Sequence, residues 1–149
     1  MSVIEEVKVM KKIQPTTLLL IKIGQFVYSY GKDAYIISYI FKYNVKQLEN
    51  KIYVCGFSKN KLKNIVANLE NQKIDFLVLD RKNSYREDEK SNNKNLNKYN
   101  DIFEKAKKYV KRKQKADYIY SYLRNNFNND EIDNTLIELK RIIDERRKV

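Results

Sequence analysis

The chain has 149 residues, enough for one domain with an appendage, and its 31 Lys and Arg against 19 Asp and Glu give a formal net charge of +12. Such an excess favours a polyanionic partner, namely DNA, RNA or an anionic membrane surface. No histidine is present, so Ser-His and Cys-His nucleophile pairs and histidine metal sites are excluded.

Other absences narrow the function further. The single cysteine, Cys55, cannot form an intrachain disulfide, and no secretory signal is visible. The apolar run 18–21 ends at Lys22 and is far shorter than the roughly 20 residues that a membrane-spanning helix needs. We therefore expect a cytoplasmic protein that does not enter a membrane. The three glycines form no P-loop, and we assign no catalytic residue, no cofactor and no metal, so the chain is not expected to be an enzyme.

In chain order, the first 81 residues predict an α/β domain. Helical spacing of apolar residues occurs in the segments 3–12, 33–41 and 58–72. Runs of strand-forming residues occur at 18–23, 25–30, 52–57 and 74–79. Asp33 and Ser58 are predicted as N-caps of the helices that follow them. The last strand is apolar at nearly every position, which indicates a central place in the sheet.

The composition changes after residue 81. Residues 82–98 contain Leu96 as their only aliphatic residue and are rich in Lys, Asn, Ser, Glu and Asp, which predicts a flexible polar linker. Helices are then predicted over about 99–124 and 130–147, joined by an Asn-rich turn. The predicted fold is thus a small mixed β-sheet flanked by helices (α/β, or α+β) over 1–81, the linker over 82–98, and a basic helical hairpin over 99–149.

One part of the predicted sheet carries a family resemblance. The run Pro15–Ala34, PTTLLLIKIGQFVYSYGKDA, resembles the opening of domain I of the MutS mismatch repair proteins. That opening typically reads Pro-Asp-x-Leu-Leu-Phe-Phe-Arg-Met-Gly-Asp-Phe-Tyr-Glu-Leu-Phe, with Asp-Ala two residues later. The run Tyr53–Phe57, YVCGF, resembles the later Pro-Met-x-Gly-Val/Phe segment of the same domain. The resemblance covers roughly residues 1–81 and implies the fold of that domain.

The resemblance implies a role for Phe26. In the family, the phenylalanine of Gly-x-Phe-x-Glu wedges into the duplex beside a mispair, where stacking is already weakened. The residues alone also allow Phe26 to be a core residue of a strand. The family's glutamate, which bonds to the displaced base, is replaced by Tyr28, which offers a ring and a hydroxyl but no carboxylate. Other departures from the pattern are Gln25, Ser58, Lys73 and Arg81.

The resemblance also has limits in length. MutS proteins continue into connector, lever, clamp and ATPase domains, whereas this sequence continues into the basic hairpin. We therefore expect neither DNA encirclement nor ATP hydrolysis.

A cluster of cations marks the first helix of the predicted hairpin. Seven Lys and Arg fall within residues 105–115, with no acidic residue among them. Five of these we call the basic stripe, because at helical spacing they lie on one face or beside it: Lys105, Lys108, Lys111, Arg112 and Lys115. Phosphate contacts from such a stripe would add affinity without sequence readout. The alternative is an ordinary solvated helix face.

The sequence therefore predicts a DNA-binding module that recognises duplex DNA, and the resemblance implies mispaired or distorted duplex. Phe26 and Tyr28 would contact the bases, and the basic stripe would contact phosphates. The rival hypothesis is a structural or protein-interaction module. In that case the apolar positions of segment 130–147 would pair with a partner helix or a second copy, at Ile132, Leu136, Leu139 and Ile143.

Overall fold

A six-stranded mixed sheet is the centre of the first compact unit of the chain, which extends to Val110; a second unit begins at Lys111. The computed structural model describes residues 2–93 and 96–148. The strands are β1 (Leu18–Ile23), β2 (Phe26–Tyr30), β3 (Lys46–Gln47), β4 (Tyr53–Ser58), β5 (Phe76–Asp80) and β6 (Arg86–Lys90), in the order β3-β4-β2-β1-β5-β6. β1 and β5 are parallel, and the other neighbouring pairs are antiparallel. The predicted α/β class with a mixed sheet is confirmed.

Apolar clusters pack on both faces of the sheet. Alternate side chains of the central strands point to opposite sides, so each strand contributes to both clusters. The helices are α1 (Val3–Ile13), α2 (Lys32–Phe41), α3 (Leu62–Asn71), α4 (Tyr99–Asn125) and α5 (Ile132–Arg147). On one face, Leu19 and Ile21 pack with Val7 of α1. On the other face, Leu18 and Leu20 pack in a larger core with α2, α3 and the first turns of α4. β1 and β5 are buried on both faces and lie in the interior of the sheet, which confirms the central place predicted for β5.

Residues 82–98, predicted as a flexible linker, instead contribute the edge strand β6, which pairs antiparallel with β5. All five side chains of β6 are exposed, so the strand leaves no hydrophobic pattern in the sequence; Asp88 adds an ion pair with Lys22 of β1 to the backbone pairing. Asparagines bind the following residues to the domain. The Asn93 side chain donates to the Ile74 carbonyl at 3.0 Å, and that of Asn97 donates to the Thr16 carbonyl at 2.9 Å. Residues 94 and 95 of the predicted linker lie outside the described residues.

The two predicted N-caps are wrong. The residue before α2 is Gly31, at φ +62°, and no side chain caps this helix. Asp33 lies inside the first turn of α2 and is fully buried, where it serves other elements of the fold. Ser58 makes no capping hydrogen bond either, because a short 3₁₀ turn (Lys59–Lys61) intervenes before α3.

The two predicted C-terminal helices are present, but the boundary between compact units falls within α4. Its first three turns belong to the first unit, where Tyr99, Ala106 and Val110 are buried. The second unit comprises the rest of α4 and α5. In the predicted stripe of α5, Ile132 is buried whereas Ile143 is 54% exposed. None of the helices in the described part of the chain is long and apolar enough to cross a membrane.

Candidate nucleic-acid interface

Three aromatic side chains follow one another along β2. Phe26, Tyr28 and Tyr30, which we call the aromatic row, have ring centroids 6.2 Å and 6.5 Å apart in sequence order. Val27 and Ser29 alternate with them and are buried on the opposite face. The alternation of a strand thus places all three rings on one face of β2.

The exposure of the row increases toward the β1–β2 turn. Tyr30 packs against the cluster that α1 covers, whereas Phe26, next to the turn, is 50% exposed. The alternative that Phe26 is a core residue of its strand is therefore wrong. An apolar ring exposed on an uncovered part of a sheet face is available for a partner.

The Tyr28 ring lies against the neighbouring strand, over a glycine. Gly56 pairs with Tyr28 across the β2–β4 ladder, and a Cβ built on Gly56 would lie 2.7 Å from Cε1 of the tyrosine ring. With no side chain on Gly56, the Tyr28 ring occupies the space above this residue, beside Phe26. The Tyr28 hydroxyl makes no hydrogen bond to any residue in the ranges 2–93 and 96–148. It is thus available as a donor or acceptor.

Two cations flank the exposed end of the row, and sequence reasoning did not assign either of them to the site. Lys59 follows Ser58, the residue paired with Phe26, and its backbone N–H donates to the Gln25 carbonyl at 2.9 Å. On the other side, Arg81 follows the last residue of β5, which is in register with Lys22 of β1. Both Lys59 and Arg81 are exposed. Each follows the last residue of a strand. The sequence could have placed them beside Phe26 only if the register of the strands had been known.

Arg81 also acts electrostatically on the buried end of the row. Burial raises the pKa of Tyr30 above its ordinary value, the neighbouring Tyr28 and Tyr85 add to this, and the positive charge of Arg81 opposes it. The Tyr30 hydroxyl therefore stays protonated at neutral pH. Of the positively charged departures from the family pattern, Arg81 lies near the row. Lys73 does not, since it precedes the start of β5 at the other end of the sheet. Its φ of +61° is one that glycine, the family's residue there, adopts without strain.

All five residues of the basic stripe lie on α4 and are exposed. Within residues 2–93 and 96–148 they form no ion pair with an acidic side chain. Lys105 and Lys108 belong to the first unit, and the other three begin the second. The structure does not bring Lys105 and Lys108 together with Phe26. α4 packs on the sheet face of Leu18 and Leu20, and the aromatic row lies on the other face.

A buried polar network holds the start of α4 against the sheet. One Asp33 oxygen accepts hydrogen bonds from the Tyr99 hydroxyl at 2.6 Å and the Lys11 ammonium at 3.0 Å. The other accepts from the backbone N–H of Leu19 at 3.0 Å. Burial raises the pKa of the Asp33 carboxyl, and these three donors oppose the shift. The network links α1, β1, α2 and α4. These protein donors account for the buried acid in the first turn of α2, so no ligand is needed to explain it.

The two segments that carry the resemblance, residues 15–34 and 53–57, contribute the neighbouring strands β1, β2 and β4. The fold around them is the one that the resemblance implied. The sequence model of MutS domain I matches residues 2–113, which is more than half of the chain. The chain belongs to this family. MutS domain I is the N-terminal mismatch-recognition domain of MutS, and it binds DNA in that context. No curated protein matches the sequence.

The match extends beyond the 81 residues on which the resemblance was first noted. It includes β6 and the first half of α4, the elements that the structure adds to the predicted domain. No group of three or more Cys, Asp or Glu able to hold a metal ion occurs in the described ranges.

Proposed function

We propose that this MutS domain I protein binds duplex DNA through the aromatic row and inserts Phe26 at a mispaired or distorted base step. The observation that carries the proposal is the 50% exposure of Phe26 on a sheet face that α1 leaves uncovered at that end. Folding gains little from leaving a phenylalanine ring half in water. The same ring would be desolvated on insertion between bases, where base–aromatic stacking contributes about 1–3 kcal/mol per base.

Tyr28 changes what the site can recognise. A glutamate at this position would accept a hydrogen bond from a displaced base, but it would also repel phosphates. Tyr28 instead extends the apolar surface beside Phe26, with its ring fixed over Gly56. Stacking on rings tolerates any base, because every base has a π face. We therefore infer that the protein selects for weakened stacking more than for one kind of mispair.

Lys59 and Arg81 supply the charge that positions the row on the duplex. They lie on either side of the β1–β2 turn, so a duplex seated on Phe26 would place phosphates near both. Contacts to phosphates fix register and orientation, and the stacking ring then reads how easily the step opens.

The test is fluorescence anisotropy with three labelled oligonucleotides: a perfect duplex, the same duplex with one mispair, and a single strand. Phe26→Ala is expected to weaken binding to the mispaired duplex by about 1–3 kcal/mol and to change binding to the perfect duplex much less. Phe127→Ala is the matched control, since this ring is 61% exposed and lies outside the family match. A folded Phe26→Ala protein that binds all three oligonucleotides like wild type would refute the wedge.

A second candidate function rests on the second unit. Its helix α5 leaves large apolar side chains in water, with Ile137 63%, Ile142 45% and Ile143 54% exposed. Pairing of α5 with the same helix of a second copy would bury this surface. Light scattering after size-exclusion chromatography at low and high salt separates the two functions. A salt-independent dimer without DNA affinity would support the interaction module, and a salt-dependent DNA binder would support the first proposal.

A further inference from the structure

The first unit has a second surface rich in cations and aromatic rings, on the far side of the sheet from the aromatic row. Its centre is Lys42, whose ammonium lies 4.8 Å from the ring centroid of Tyr39 and 4.3 Å from that of Tyr109. The two rings themselves meet edge to face, with centroids 5.6 Å apart. A lysine held between two rings is already positioned for an anion, so less side-chain freedom is lost on binding.

Two residues of the basic stripe extend this surface along α4. Lys105 is four residues before Tyr109, so it lies next to that ring on the helix. Lys108 is two residues from the buried Ala106 and therefore points away from the core. Asp101 and Glu104 lie four residues before Lys105 and Lys108 and so beside them on the helix, but neither acid forms an ion pair with a residue in the described ranges. We call Lys42, Lys105 and Lys108, with Tyr39 and Tyr109, the α2–α4 surface.

The α2–α4 surface and the aromatic row cannot face the same straight duplex. Val27 of β2 points into the core beneath α2 and α4, whereas the neighbouring Phe26 points out of the other face. Between the row and the outward lysines lie the sheet and a helix about 10–12 Å across. Duplex DNA is stiff over about 150 base pairs, so a single duplex would resist folding around the domain to reach both faces.

We propose that the α2–α4 surface binds the phosphates of a second DNA duplex, so that one molecule holds two duplex segments on opposite faces of its sheet. This inference rests on the proposed function for the first duplex, which the aromatic row receives. The second contact is charge-driven and has no apolar wedge, because Tyr39 and Tyr109 are engaged with each other and with Lys42. The second duplex therefore needs no mispair, and its capture should be strongly salt-dependent.

The test is a two-duplex capture experiment. A mispaired duplex is fixed to beads, the full chain is added, and a fluorescent perfect duplex in solution is then offered. Wild type is expected to retain the fluorescent duplex on the beads. The variant Lys42→Gln/Lys105→Gln/Lys108→Gln is expected to bind the mispaired duplex in anisotropy and to capture no more fluorescent duplex than beads without protein. The matched control removes the same charge at three exposed lysines elsewhere, Lys46→Gln/Lys90→Gln/Lys148→Gln, and should capture like wild type.

The outcomes are distinguishable. Wild type that binds the mispaired duplex but never captures a second one overturns the inference and leaves the proposed function intact. Capture that survives the triple substitution also overturns it, because a dimer with one DNA site in each copy would behave in this way. Capture of an RNA duplex but not of DNA overturns the choice of ligand. Wild type that binds no oligonucleotide at all removes the proposed function itself.

Discussion

Removing the Tyr99 hydroxyl should measure how strongly α4 is held to the sheet. The ring is 2% exposed, and the hydroxyl donates to a fully buried Asp33 oxygen at 2.6 Å. Tyr99→Phe keeps the ring and its packing and removes one donor from a buried carboxyl oxygen. Leaving a buried acceptor with one donor fewer costs about 1–3 kcal/mol, so the free energy of unfolding should fall by that amount. Urea unfolding at neutral pH, followed by circular dichroism, gives the value directly.

The matched control is Tyr122→Phe, since this tyrosine is 50% exposed on the second half of α4. A surface change of this kind should alter the free energy of unfolding by less than about 0.5 kcal/mol. If Tyr99→Phe stays within the same range as this control, the Asp33 network does not hold α4, and the reasoning from its geometry is refuted.

Three further predictions concern the network, the row and the stripe. Burial raises the pKa of Asp33 in the folded chain, so the stability that this carboxyl contributes is full below its unfolded pKa of about 3.9 and is lost as pH rises through the raised value. As pH rises from about 4, the free energy of unfolding of wild type should therefore fall relative to that of Asp33→Asn. A rise of the wild-type value relative to the variant, in urea unfolding at a series of pH values, would contradict this. Gly56→Ala places a Cβ 2.7 Å from the Tyr28 ring, so the ring must move and the affinity for mispaired duplex should fall, with an unchanged anisotropy curve as the contrary result. Replacing the basic stripe with glutamine should flatten the log–log salt dependence of perfect-duplex binding by about 0.9 for each phosphate that the protein no longer neutralises, and an unaltered slope would mean that the stripe is only solvated.

The central part of the fold could be predicted because burial leaves a pattern in the sequence. β1 and β5 are apolar at nearly every position, and the periodic apolar residues of α3 do form its buried face at Ile65, Val66 and Leu69. The edge strands β3 and β6 could not be predicted. Their side chains are exposed, so they join the sheet through backbone hydrogen bonds, for which the sequence carries no hydrophobic signal.

The exposure of Phe26 could not be read from its strand. Alternation along β2 places Phe26, Tyr28 and Tyr30 on one face, but it does not say whether that face is covered. Coverage depends on α1. Its Val7 and Met10 pack with the cluster around Leu19 and Ile21, and that cluster does not include Phe26. The apolar patterns of α1 and β2 do not show how much of the row the helix covers, so only the packed structure shows that Phe26 is exposed.

The same limit applies to the charged residues, and it has a physical cause. Seven cations in eleven residues predict a basic helix, but the position of that helix is set by what its other side buries. α4 enters the core through Tyr99 and Ala106, so the exposed Lys105 and Lys108 must point away from the sheet. The hydrogen bond from Tyr99 to Asp33 thus contributes to the position of α4 as well as to stability. It helps to hold those lysines on the sheet face opposite Phe26, so DNA that they contact would approach the domain from the other side of the sheet.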